Sequence, residues 1–148
     1  MSDPSDSDTL RDLLDRILKG GTLARIPRHP AQRDHLLATL STALHRRYPY
    51  GERELGEVLI ETLETLNSTV DHVTARRYLV DCGFLKRDRA GNRYYLNFER
   101  LRGVLDTSAQ EVALDLAAKA IAAAQARASE KAARAERYRA AARADREA

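Results

Sequence analysis

The chain of 148 residues has no tryptophan, one methionine and one cysteine, and aromatic side chains make up only 5% of it. A lone cysteine, Cys82, excludes an internal disulfide framework and suits a reducing compartment. Long apolar runs are also missing. No stretch approaches the roughly 18 residues that a membrane span requires. The start, MSDPSDSDTL, is acidic and lacks the apolar segment of a secretory signal. These absences lead us to expect a cytoplasmic protein with no membrane partner. Metal chemistry is poorly served as well: His29, His35, His45 and His72 have no ligand spacing with Cys82. Gly20–Gly21 is a turn without a phosphate-loop motif. No catalytic constellation, metal or cofactor is therefore expected.

What the chain does have is charge. Charged residues reach 32%, yet the net charge is only +3. The charge lies in blocks: −2 over residues 1–20, +4 over 21–50, −4 over 51–83, +4 over 84–102 and +1 over 103–148. A hydrophobic fraction of 43% is enough for one core, with long solvated helical faces around it.

Residues 1–9 are polar and are expected to be disordered. Leu10, Leu13, Leu14, Ile17 and Leu18 then form one helical stripe, with Thr9 as its N-cap and Gly20–Gly21 as its stop. TLARIP reads as a short extended segment, since a residue before proline is biased to β. Helices are predicted over 30–46, 52–66 and 71–82, the last capped by Ser68 or Asp71 and ended by Gly83. YPYG, Tyr48 to Gly51, reads as a turn between the first two. FLKR and RYYLN flank DRAGN, a hairpin signal with Gly91 and Asn92 available for positive φ. Beyond Phe98 some large apolar residues persist to about Leu116; after it alanine, arginine and glutamate dominate, and they favour a long helix, about 60 Å if forty residues run unbroken. The expected organisation is an acidic start with a short amphipathic helix (1–20), a compact domain (21–100) and a helical extension (101–148).

Three helices followed by a hairpin is the order of a winged helix-turn-helix, so the expected fold class is mainly α with a small β-hairpin. The runs GGTLARIPRHPAQRDHLLATL, YPYGERELGEVL and VTARRYLVDCGFLKRDRAGNRYYL resemble the prokaryotic domain of unknown function 2087 over about residues 20–97. The resemblance rests on Ile26–Pro27, Tyr50-x-Glu52-x-Glu54, Arg76–Arg77-x-Leu79–Val80, Gly83, Leu85–Arg87 and Gly91-x-x-Tyr94. Ala75 and Gly56 depart from that pattern, which usually has a larger aliphatic residue and a polar one there. The resemblance implies a winged-helix-like fold and a regulatory role; such domains occur alone or fused to arsenic-repressor-type regulators, without an established activity.

In projection the 71–82 helix turns Ala75, Tyr78, Leu79 and Cys82 inward and Thr74 and Arg77 outward. If double-stranded DNA is the partner, Thr74 and Arg77 would read bases, while Lys86, Arg87, Arg89 and Arg93 of the hairpin would hold phosphates. Arg28, Arg33, Arg46 and Arg47 add to the basic supply, and the C-terminal arginines are a further candidate for phosphates. Arg76 sits laterally and is expected to pair with a glutamate of the preceding helix. Against DNA stands an acidic stripe, Glu54, Glu57, Glu61 and Glu64, which would repel phosphates. The alternative is a protein-interaction module, as a homodimer or with another protein, using that stripe and the C-terminal helix.

Overall fold

A computed structural model describes residues 3–148. Its described residues form six helices and one two-stranded antiparallel hairpin: α1 (Ser7–Ile17), α2 (Pro30–Ser41), α3 (Glu52–Thr65), α4 (His72–Asp81), β1 (Leu85–Arg87), β2 (Tyr94–Leu96), α5 (Phe98–Val104) and α6 (Thr107–Glu147). The mainly helical fold with a hairpin is thus as expected. Among the described residues no helix is long and apolar enough to cross a membrane.

The core is aliphatic. Leu36, Leu37 and Leu40 of α2, Leu55 and Leu59 of α3 and Leu79 of α4 are fully buried, in one cluster with Phe84. Each buried leucine contributes roughly 1.5–3 kcal/mol of transfer free energy. The ends of α4 show how local chemistry sets its limits. Asp71 accepts the Val73 N–H at 2.7 Å, so it, and not Ser68, is the N-cap. At the other end Gly83 has φ +86°, where any side chain would be strained. That turn lets Phe84 N–H donate to Leu79 O and Gly83 N–H to Val80 O, the paired bonds of a Schellman stop.

α2 is shorter than the predicted 30–46. Thr39, Ser41 and Thr42 bond back to the carbonyls of His35, Ala38 and Thr39. Ala43 and Leu44 then take tight bonds to residues three back, which ends the regular ladder. Tyr50, read as part of a turn, exchanges two backbone hydrogen bonds with Tyr94 and adds a single-residue bridge beside the hairpin. In the hairpin Leu85 pairs with Leu96 and Arg87 with Tyr94. Only Gly91 of its loop takes positive φ; Asn92 instead donates its N–H to Asp88 Oδ1.

The N-terminal end departs from expectation, while the C-terminal end carries the expected long helix behind a short one. Residues 1–2 of the expected disordered start lie outside the described residues, but Ser5 is held in place. Its N–H donates to Val104 O, its carbonyl accepts the Asp106 N–H, and its hydroxyl lies 2.7 Å from His35 Nε2. α1 begins earlier than predicted because Asp6, not Thr9, caps it. The extension after Phe98 is two helices: Leu105 is extended and Asp106 caps α6 afresh. α6 packs chiefly on α1 and also on α2, through buried Ala109, Ala113, Ala117, Ala120, Ile121 and Ala124. Small alanines let the backbones approach closely, which a leucine stripe would prevent. From residue 126 on, α6 leaves the body and its side chains are solvated.

Candidate nucleic-acid interface

α3 and α4 meet across the turn at Asn67–Asp71. Asn67 takes φ 47°, and its amide donates to Gly21 O and Thr22 Oγ1. Leu23 N–H donates to Leu66 O, and Thr69 N–H to Leu23 O. These bonds lay the segment 22–28 beside the first turn of α4. Gly56 lies where space is short, since a Cβ there would stand 3.2 Å from the His72 ring. The glycine admits His72 against α3 at a helix-propensity cost of about 1 kcal/mol.

The outcome is a groove of about 450 Å³ with Thr74 and Tyr78 of α4 on one wall and Arg25 and Arg28 on the other. Thr74 is half-buried, and its hydroxyl donates to Asp71 Oδ2 at 3.0 Å. That bond and the Val73 N–H hold the Asp71 carboxyl below the usual range, the backbone bond being the larger cause. Arg77 is exposed on the outer face of α4. Tyr78, expected in the core, is 37% exposed, because it sits at the flank of the inward arc centred on Ala75 and Leu79. Cys82, also expected in the core, is half-buried, and burial pushes its thiol pKa up, which makes it a poor nucleophile.

Arg76 belongs to the framework, as its lateral projection suggested. Its Nη1 lies 2.9 Å from Glu52 Oε1, and its side chain is 19% exposed. The guanidinium sits over the Tyr94 ring, 5.8 Å from its centroid. The four hairpin cations do not act alike. Arg87 donates to the Tyr94 hydroxyl at 2.8 Å and also lies over that ring. Arg93 folds back over Gly51, where an added Cβ would meet its Nη1 at 2.7 Å. Lys86 and Arg89 are exposed and have no carboxylate partner among the described residues.

Of the basic residues in and beside α2, Arg33 is half-buried and pairs with Asp34 at 3.1 Å, whereas Arg46 lies 3.7 Å from the Phe98 ring centroid and stays exposed. Arg28 and Arg47 remain exposed. Sequence reasoning missed Arg25, whose position depends on the bonds from Leu23 to Leu66 and Thr69. It also missed Arg100, which donates to Cys82 O at 3.0 Å, pairs with Asp34 at 3.1 Å and covers Phe84.

The acidic stripe is where the heptad-like spacing put it: Glu54, Glu57, Glu61 and Glu64 are all exposed on α3. Glu54 accepts the Tyr48 hydroxyl at 2.7 Å, and Arg53 lies 3.6 Å from Glu57. Glu61 and Glu64 have no cationic partner among the described residues.

A family model described as an uncharacterised protein conserved in bacteria, DUF2087, matches residues 22–96. No curated protein and no solved structure matches the chain.

Proposed function

We propose, for a chain that belongs to the DUF2087 family of uncharacterised proteins conserved in bacteria, a DNA-binding role in transcriptional regulation within the cytoplasm. The observation that carries this reading is the groove at the first turns of α4, where Thr74 and Tyr78 face Arg25 and Arg28. A helix of winged-helix type reads DNA with its N-terminal exposed side chains, and cations beside that turn are placed for flanking phosphates. Arg77 would supply direct base contact, and Lys86 and Arg89 the hairpin's contact to backbone. Arg87 is the weaker member of the hairpin set, since it already donates to the Tyr94 hydroxyl.

Selection from a random duplex library at two salt concentrations tests the reading. Enrichment of a motif, with affinity falling steeply between about 50 and 200 mM salt, is the expected result. No retained duplex at the lower salt overturns it. A second reading, a protein-interaction module, is favoured by one observation: the solvated face of α3 is acidic, and Glu61 and Glu64 on it are unpaired by any cation among the described residues.

A further inference from the structure

The two halves of α6 use one face in different ways. At 100° per residue, Arg127, Lys131, Arg134 and Tyr138 fall within about 40° of the face carrying Ala109, Ala113, Ala117, Ala120 and Ala124. The docked half buries that face against α1 and α2. In the protruding half the same face turns from alanine to cations, and Tyr138 on it is 78% exposed. The ion pairs of this half, Arg139 and Arg143 with Glu136, lie on the other side. Arg127, Lys131 and Arg134 have no carboxylate partner among the described residues.

α3 offers the complement. Glu57, Glu61 and Glu64 recur at i, i+4 and i+7, the same spacing as Arg127, Lys131 and Arg134. Each set spans about 10.5 Å along its helix. Ile60, 43% exposed, is the apolar residue on that side of α3. Residues 126–148 carry seven Lys or Arg against four acids, whereas α3 carries one arginine against five glutamates. We propose that the protruding half of α6 in one copy docks along the acidic face of α3 in a second copy, making a symmetric dimer with two reciprocal helix contacts.

Charge and connectivity select this pairing. Two protruding halves against each other would juxtapose like charge. Folding back onto the chain's own α3 would require a break in a helix that runs unbroken from Thr107 to Glu147. The exposed Arg53–Glu57 pair exchanges partners at little cost. The contact also neutralises the stripe that opposes DNA, although it does not depend on DNA being bound.

The test is the mass of the full chain in solution, by sedimentation without nucleic acid, at low and high salt. We expect a dimer at about 50 mM salt that dissociates toward monomer at about 1 M, as exposed ion pairs are screened. Triple reversal R127E/K131E/R134E, or E57R/E61R/E64R, should each weaken dimerisation by about tenfold or more. Mixing the two variants should restore a dimer, because each then offers what the other lacks, and this recovery shows that both are folded. A wild-type monomer, a dimer indifferent to the reversals, or a mixture that stays monomeric overturns the proposal. So does a result in which R127E/K131E/R134E weakens duplex binding and leaves the mass unchanged, which would give the arm to DNA.

Discussion

Arg76 and Arg77 are adjacent in the chain and differ in kind. Arg76 spends its guanidinium on Glu52 and the Tyr94 ring, whereas Arg77 is exposed on α4. Arg76→Ala should therefore cost roughly 1 kcal/mol of stability through lost packing and the half-exposed ion pair, read by urea denaturation. Arg77→Ala should change stability by less than about 0.5 kcal/mol. In duplex binding Arg77→Ala should relax sequence preference, and Arg89→Ala should weaken all sequences alike and flatten the salt slope by about one. Equal effects of the two on preference would remove the distinction between reading and holding. The projection of α4 made the Arg76–Arg77 difference legible, because 100° between neighbours separates a flank from an outer face. Tyr78 was misplaced because a flank position is decided by what stands beside it, here Arg25 and Arg28.

Among the elements, three helices begin on an aspartate, and each carboxylate is held below the usual range. For Asp6 the main cause is the Thr9 N–H, for Asp71 the Val73 N–H, and for Asp106 the Ser108 hydroxyl followed by the Ala109 N–H. A folded pKa below the unfolded one contributes stability above the unfolded value, which is lost as pH falls through the folded value. Asp106→Ala should thus lower the melting midpoint at pH 7. The gap from the parent should close as pH is taken from about 5 to 2; a gap independent of pH would mean that the charge plays no part. The stop at Gly83 was readable from its place in the sequence. The break between α5 and α6 was not, because Leu105 is held extended by Ser5 a hundred residues away.

For the whole molecule, α6 is two objects in one helix. Its first half covers α1, whose Leu10 and Leu14 are fully buried; its second half covers nothing among the described residues of its own chain. Deleting residues 126–148 should leave the thermal midpoint nearly unchanged at about 1 M salt, where the dimer contact is screened, read by far-ultraviolet circular dichroism. Deleting 107–148 should expose the α1 face and abolish cooperative unfolding. A large loss of stability from the shorter deletion at that salt would show that the arm folds back on its own body.

The order of the three core helices and the hairpin, the stop at Gly83 and the acidic stripe were determined by the sequence itself. Each rests on local physics: helical periodicity, a glycine that alone tolerates positive φ, a short polar cap. Tertiary structure decided which cations remain available, because Arg33, Arg87 and Arg100 are held by partners that pattern alone does not identify. It also decided that the N-terminal helix and the first half of α6 pack together. Their alanine and leucine faces show that each is to be buried, but long-range packing alone settles against what.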